Sequence, residues 1–220
     1  MSSITDLIRS KKTEIQAQTG QRADTVKPPM DKSRWRILPS WRGGAAGEEQ
    51  FWHDFGLHFI RESKDTKAKA VHMCVARTYG NPCPICEILD DGIARAGSDN
   101  QIELLKSNKA QGRVLVNALQ VDGSDPTKVV ILDLTFTTFE KVLDRFQDAI
   151  DEQKEDGVED YDPLSLKNGI DITINKTGAG LNTKYDASNR KGKPVDESVL
   201  ENLHDLDKYV AQDAVDSRNR

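Results

Sequence analysis

The sequence lacks any long apolar segment. Hydrophobic residues make up 36% of the 220 residues and charged residues 30%, so part of the chain is expected to form tails or loops rather than core. No apolar run approaches the roughly 20 residues that cross a bilayer. The first residues, MSSITDLIRSKK, also lack the apolar stretch and cleavage site of a secretory signal. We therefore expect a soluble intracellular protein that is not secreted and has no membrane partner.

Cysteine is scarce too. The chain has three cysteines, Cys74, Cys83 and Cys86, which lie close together in the sequence. An odd number of clustered thiols is not expected to form disulfides inside a cell. Such a cluster is more typical of a metal site.

Motifs of the common catalytic classes are missing. There is no G-x-x-x-x-G-K-[ST] loop, no G-x-S-x-G elbow and no H-E-x-x-H pair. Pro82–Cys86 matches the P-C-x-x-C half of the zinc-dependent nucleobase deaminases, but their chemistry also needs a Glu two residues after a histidine ligand. The residues two positions after His53, His58 and His72 are Phe55, Ile60 and Cys74. We therefore predict that the protein is not an enzyme.

Charge is unevenly distributed along the chain. The net charge is −5. Residues 1–70 carry 13 Lys and Arg against 9 Asp and Glu, residues 71–130 carry 6 against 7, and residues 131–220 carry 12 against 20. The excess of positive charge in the first third is compatible with a polyanionic partner, although the whole chain is acidic.

The cysteine spacing indicates a zinc site. Cys83 and Cys86 form a C-x2-C pair, whose turn lets two thiolates converge on one ion. Cys74 is the natural third ligand, across the eight-residue loop VARTYGNP. Three thiolates are too few for the usual four-cysteine iron–sulfur cluster.

The fourth ligand is expected to be a histidine or a carboxylate. We favour His58, because a ligand on a neighbouring strand would tie the cysteine loop to the rest of the fold, whereas His72 and His53 remain alternatives. Four protein ligands leave no open coordination position, so the zinc is expected to be structural.

Turn and periodicity signals predict the secondary structure. RVLVNALQV and KVVILDLT, joined by DGSDP, predict a hairpin, and GIDITINKTG with NTKYDAS predicts another. Thr137 and Glu140 form a capping box ahead of an apolar stripe, which predicts a helix. Near the C-terminus, Val199, Leu203 and Leu206 recur at the spacing of one acidic amphipathic helix.

This order of elements predicts a mainly β fold with helices, of the α+β class. We expect an antiparallel barrel similar to an OB-fold, with an inserted zinc-binding subdomain and helical or flexible termini. The predicted boundaries are 1–31 for an N-terminal arm and linker, 32–194 for the OB-fold core with the zinc subdomain at about 58–110, and 195–220 for an acidic C-terminal segment.

Aromatic and basic residues are interleaved between residues 34 and 61 and continue into the cysteine loop. Single-stranded nucleic acid is held by such a mixture, because cations track the phosphates while bases stack on rings. The predicted contacts are Arg34, Trp35, Arg36, Trp41, Arg42, Trp52, Phe59, Arg61, Lys64, Lys67, Lys69, Arg77, Tyr79 and Arg113. By strand alternation, about half of these rings would instead fill the core. If all of them do, the alternative function is a zinc-stapled protein-interaction adaptor that does not bind nucleic acid.

Several motifs together resemble a known family. RILP, the histidine in GLHFI, the spacing Cys74-x8-Cys83-x2-Cys86 and the late GIDITI and TGAGLNTKYD segments are similar to the replication single-stranded DNA-binding proteins of tailed bacteriophages. These are the helix-destabilising type, with a zinc subdomain set into an OB-fold. The resemblance covers roughly Trp35 to Lys193. It implies non-catalytic coating and protection of single strands in phage DNA replication, recombination and repair, in the cytoplasm of an infected bacterial host.

The resemblance also assigns roles to residues. It implies that His58, Cys74, Cys83 and Cys86 bind one structural zinc ion, and that Tyr79 contacts DNA.

Both ends of the chain are expected to contact proteins. The resemblance implies self-association along the strand through the N-terminal arm, here Arg9, Lys11 and Lys12, and contacts of the acidic C-terminal segment with replication and recombination proteins. Two features depart from the family pattern: the arm also contains Asp6 and Glu14, and the chain ends in the basic SRNR.

Overall fold

The computed structural model of the protein describes residues 25–43, 49–63 and 66–211. Contacts divide the chain into two compact units. The first comprises the described residues up to Phe51 with Val116–Asp133 and Lys141–His204, and the second comprises Trp52–Leu115, Leu134–Glu140 and the described residues from Asp205 onward. The predicted boundaries at 1–31, 32–194 and 195–220 stay a prediction. The arm residues Arg9, Lys11 and Lys12 lie outside the described residues.

Eight strands are found in the described part of the chain. They are β1 (Thr25–Val26), β2 (Asp31–Ile37), β3 (Trp52–Ile60), β4 (Ala70–Met73), β5 (Gln111–Gln120), β6 (Val129–Thr135), β7 (Ile170–Thr177) and β8 (Lys184–Lys191). Their hydrogen-bonded order is β1-β6-β5-β2-β7-β8, and β3 pairs with β4 and β5. β7 and β8 form the predicted antiparallel hairpin, with Ile170 opposite Lys191.

Helices follow several of the strands. They are α1 (Val75–Tyr79), α2 (Pro84–Arg95), α3 (Asp99–Ser107) and α4 (Phe136–Glu155), with short 3-10 segments at Gly180–Asn182 and Glu197–Asn202. α4 is the helix that the apolar stripe predicts, but it begins earlier than expected. The cap is Thr135, whose Oγ1 accepts a hydrogen bond from the Thr138 N–H at 3.1 Å. No helix in the described ranges is long and apolar enough to cross a bilayer.

The predicted α+β class is confirmed, but a closed barrel is not formed by the described strands. Their pairings make an open path that ends at β1 and β8. β1 also runs parallel to β6, with Thr25 opposite Ile131, so the pairing is not antiparallel throughout. This short strand comes from the segment that the sequence predicts to be a linker.

The core of the first unit surrounds β2 and the segment that follows it. β2 is antiparallel to β5 on one side and to β7 on the other. Leu38 packs in a buried cluster with Leu119, Val129 and Val199. Val199 lies in the Glu197–Asn202 segment, so this part of the predicted C-terminal segment contributes to the core.

The predicted C-terminal helix is interrupted. After the 3-10 segment, Leu203 is extended at φ −62° and ψ 134°, and the chain is helical again over residues 206–211. The Asn117 side chain explains the break, because it pairs with both backbone groups of His204. Asn117 Nδ2 donates to the His204 carbonyl at 3.0 Å, and the His204 N–H donates to Asn117 Oδ1 at 2.9 Å.

Candidate functional site

Three elements of the second unit position a His/Cys cluster. His58 lies on β3, Cys74 follows β4, and Cys83 and Cys86 lie at the start of α2. Cys83 is extended and precedes Pro84, whose fixed φ suits the first position of a helix. The first turn of α2 therefore brings the two thiols of the C-x2-C pair to the same side.

The ligand atoms of this cluster fit one tetrahedral ion. The Nε2 atom of His58 and the Sγ atoms of Cys74, Cys83 and Cys86 all lie within 4.8 Å of one another. Cys83 Sγ and Cys86 Sγ are 3.6 Å and 3.5 Å from His58 Nε2, and Cys74 Sγ is 3.5 Å from Cys86 Sγ. A tetrahedral zinc with its usual bond lengths requires edges of about 3.6 Å between nitrogen and sulfur and about 3.8 Å between sulfurs. The cluster could therefore hold a metal ion, and its donor set suits zinc.

The ring of His58 is oriented for ligation. It is fully buried, and its Nδ1 lies 3.0 Å from the carbonyl oxygen of Asn108. A carbonyl can only accept, so Nδ1 carries the proton and Nε2 turns its lone pair toward the sulfurs. The Asn108 side chain is itself fixed by two hydrogen bonds to the backbone of Arg61.

The other two candidate histidines lie elsewhere. His72 is opposite His58 in the pairing of β3 with β4, but it is not part of the cluster that the described residues form. His53 Nε2 lies 3.4 Å from Asp207 Oδ1. Of the three candidates, the structure brings His58 to the cysteines.

The surroundings of Cys83 and Cys86 shift the pKa values of these two thiols in opposite directions. Burial alone would raise the pKa of Cys83, but hydrogen bonds from neighbouring groups, led by the backbone N–H of Cys86, outweigh it and lower the pKa to about 6. Burial and the neighbouring Cys74 and Cys83 raise the pKa of Cys86 to about 12. Three thiolates this close repel one another, so a bound cation is the partner that would stabilise all three.

A short helix begins at one of these cysteines. Cys74 caps α1, its Sγ accepting a hydrogen bond from the Arg77 N–H at 3.4 Å. Gly80 ends the helix in the left-handed conformation at φ 71°, which favours glycine. Arg77 and Tyr79 are therefore carried by a helix that starts at the candidate metal centre.

Arg77 and Phe136 form an exposed surface above two strands. The Arg77 guanidinium carbon lies 4.7 Å from the centroid of the Phe136 ring, and 37% of Phe136 is exposed. We call these two side chains, with Gly56 and Gly112 beneath them, the ring surface. A Cβ at Gly56 would lie 2.7 Å from Arg77, and one at Gly112 would lie 2.7 Å from the Phe136 ring. The two glycines thus allow the side chains to lie against β3 and β5.

A family model described as gp32 DNA binding protein like matches residues 33–220. The chain belongs to this family. The match confirms the resemblance to phage single-stranded DNA-binding proteins and includes both the His/Cys cluster and the ring surface. No curated protein matches the chain.

Two of the contacts predicted for the first unit of this gp32-like protein are buried. Trp35 is 0% exposed, and its indole N–H donates to Ser33 Oγ at 2.8 Å. Arg36 is 1% exposed and forms an ion pair with Asp171 at 2.8 Å. Both side chains are occupied inside the first unit, and their contact with DNA stays a prediction.

Three further predicted contacts lie in the first unit at partly exposed positions. Trp41 and Arg42 are half-buried, with the guanidinium carbon of Arg42 4.6 Å from the Trp41 ring centroid. The backbone N–H of Arg34 donates to Asp122 Oδ2 at 2.9 Å. Their contact with DNA stays a prediction.

Predicted aromatic contacts of the second unit pack against neighbours. The rings of Trp52 and Phe139 have centroids 5.7 Å apart. The Arg61 guanidinium carbon lies 5.7 Å from the Phe59 ring centroid. Arg61 Nη1 donates a hydrogen bond to the Ser107 carbonyl at 3.1 Å. These side chains support the fold around α3 and β3, and their role toward DNA stays a prediction.

The predicted lysine contacts and Arg113 differ in exposure. Lys67 and Lys69 are exposed, and Lys69 pairs with Glu62. Arg113 on β5 is buried, and Lys64 lies outside the described residues. Tyr79 is 44% exposed. It is therefore more accessible than Trp52, Phe59 and Arg113.

Phe136 and Asn108 are not among the residues predicted from the sequence. Phe136 follows β6 directly in LTFTTFE, and placing the cap at Thr137 instead of Thr135 left it outside the helix. Its exposure beside Arg77 depends on Gly112, which is remote in sequence. Nothing in the sequence near Asn108 indicates that its carbonyl supports His58, because that contact spans 50 residues.

Proposed function

We propose that this gp32-like protein binds single-stranded DNA without catalysing a reaction, and coats and protects it in phage DNA replication, recombination and repair. The ring surface is the observation that supports this best. It offers an exposed ring and a guanidinium side by side, and bases stack on both kinds of group. Bases in a duplex have their faces covered by neighbours, so a surface of this kind favours unpaired strands.

We further propose that the His/Cys cluster holds a structural zinc ion. His58, Cys74, Cys83 and Cys86 would be its four protein ligands, which leave no open position for water or substrate. Because Cys74 also caps α1, the ion would fix the helix that carries Arg77 and Tyr79. The zinc would then support DNA binding indirectly, by holding this helix in place.

The proposal extends to the chain ends and to the location of the protein. Residues 1–31 would form an arm for self-association along the strand, 32–194 the DNA-binding core, and 195–220 a segment that contacts replication and recombination proteins. The protein would act in the cytoplasm of the infected host. The excess of positive charge in the first 70 residues and the excess of negative charge after residue 130 support these separate roles.

Replacing Phe136 with alanine is expected to weaken binding of oligothymidylate by about 1–3 kcal/mol, because one stacking platform is lost. Tyr79→Ala should have an effect of the same kind. Binding is measured by quenching of tryptophan fluorescence at low salt. Added duplex DNA should not displace the oligothymidylate. Ile88→Ala removes another exposed apolar side chain of the second unit and should leave affinity unchanged. Wild-type protein that binds no oligothymidylate at low salt would contradict the proposal and favour the adaptor function.

Arg77→Gln is expected to flatten the salt dependence of binding. Each phosphate neutralised on a single strand contributes about −0.7 to the slope of log K against log salt. Losing one such contact should therefore reduce the magnitude of the slope by about 0.7. Arg95 is an exposed arginine of the same unit, paired with Asp91 at 3.5 Å, and Arg95→Gln is the matched control. Equal slopes for the two variants would assign Arg77 a packing role only.

A further inference from the structure

A cavity of about 650 Å³ lies in the first unit, between the end of β8 and the segment that follows β5. Its lining includes the apolar side chains of Val121, Pro126 and Val195. Four cations also line it: Arg34, Arg190, Lys191 and Lys193. The volume is within the range of about 300–1,000 Å³ that small-molecule sites occupy. We call this site the β8 pocket.

Three of the four cations of the β8 pocket are available for a ligand, and the fourth, Arg34, also lies near Asp171. The side chains of Arg190, Lys191 and Lys193 are exposed, and in the described part of the chain they form no ion pair or hydrogen bond. Arg34 Nε is buried and has no hydrogen-bond partner among the described residues. Asp171 Oδ2 is 3.9 Å away from it, beyond hydrogen-bonding distance.

Two carboxylates also line the pocket, but each has its own partner. Asp171 is paired with the buried Arg36 at 2.8 Å. Asp196 accepts a hydrogen bond from the Ser198 N–H at 2.9 Å, as the cap of the following 3-10 segment. The pocket therefore keeps a clear excess of positive charge.

The backbone that carries the lysines is held in place. The Gly192 N–H donates to the Gly169 carbonyl at 3.1 Å, and the Val195 N–H donates to the Leu166 carbonyl at 2.8 Å. Arg36 Nη2 donates to the Lys193 carbonyl at 3.1 Å. A Cβ at Gly192 would lie 1.4 Å from Arg36 Nη2, so glycine is required between Lys191 and Lys193. These contacts hold the backbone of the cations in place, and a binding site requires such a rigid support.

We propose that the β8 pocket binds a nucleotide, with its phosphate on Arg34, Arg190 and Lys193 and its flat ring against Val121 and Pro126. A group of cations binds a phosphate through charge-assisted hydrogen bonds. The apolar lining residues favour a ligand that also carries a ring. The nucleotide is either free in solution or the 5′-phosphorylated end of a DNA strand. This goes beyond the proposed function, because coating the interior of a strand needs no pocket of nucleotide size.

Calorimetric titration of the full chain with dTMP tests the proposal. We expect saturable binding of dTMP, with thymidine and inorganic phosphate each at least about tenfold weaker. Arg190→Gln/Lys193→Gln should weaken dTMP binding by about tenfold or more. Lys154→Gln, an exposed lysine at the end of α4, should not change it. Phe136→Ala should not change it either, which separates the β8 pocket from the ring surface.

The two sources of the nucleotide are separated with a short oligothymidylate, compared with and without a 5′-phosphate. Tighter binding of the phosphorylated strand, lost in the Arg190→Gln/Lys193→Gln variant, identifies the strand end as ligand. Binding of dTMP without that preference identifies the free nucleotide. If neither dTMP nor the 5′-phosphate has an effect, or if inorganic phosphate binds as tightly as dTMP, the proposal is wrong. Binding of unphosphorylated strands would then still support the proposed function.

Discussion

Replacement of Cys86 with serine is expected to abolish zinc binding and to lower the free energy of unfolding by about 4 kcal/mol or more. Cys86 Sγ lies 3.5 Å from both Cys74 Sγ and His58 Nε2, so its loss opens the cluster at a central position. A hydroxyl is a much poorer zinc ligand than a thiolate. Zinc content is measured by elemental analysis and stability by urea unfolding. None of the four ligands belongs to the first unit, so that unit should keep its fold.

A pair of histidine variants provides the control. His58→Gln should reproduce the effect of Cys86→Ser, because His58 Nε2 faces the sulfurs. His72→Gln alters the residue opposite His58 in the pairing of β3 with β4, but it should retain full zinc content. Native protein that contains no zinc, or loss of metal in His72→Gln alone, would contradict the assignment of the ligands.

The His/Cys cluster could be predicted from the sequence because its determinants are mostly local. A C-x2-C turn that contains Pro84 fixes two ligands within four residues, and Cys74 lies one short helix away. The choice of His58 depended on its place in a strand, and the structure brings it to the cysteines. Asn108 could not be predicted, because a backbone carbonyl can accept from a histidine whatever side chain its residue carries.

The DNA contacts were harder to predict, since the same residue types also build cores. Trp35 and Arg36 lie among basic and aromatic residues in the sequence. In the structure both are buried, on a strand that pairs with β5 on one side and β7 on the other. The partner of Arg36 is Asp171, 135 residues later in the chain. A sequence shows the charge of an arginine but not the distant carboxylate that neutralises it. The same limit explains the C-terminal helix, which is interrupted by Asn117, 87 residues before His204.

Asp171→Asn is expected to destabilise the first unit by about 3–5 kcal/mol, because it leaves a buried guanidinium without a countercharge. Arg36 Nε and Nη2 both lie 2.8 Å from Asp171 Oδ1. The remaining guanidinium contacts are the carbonyls of Ser165 and Lys193, at 3.3 Å and 3.1 Å, which cannot replace a full negative charge. The free energy of unfolding is measured by urea denaturation.

Two controls show whether the loss of stability comes from the unpaired buried charge or from losing an ion pair as such. Asp148 pairs with Arg145 at 2.9 Å on the exposed side of α4, and Asp148→Asn should cost less than about 1 kcal/mol. Arg36→Met/Asp171→Leu removes both charges and should recover much of the loss, because a buried pair contributes little beyond its own desolvation cost. If Asp171→Asn is no worse than Asp148→Asn, Arg36 can reach solvent. It would then be free to contact DNA, as the sequence predicts.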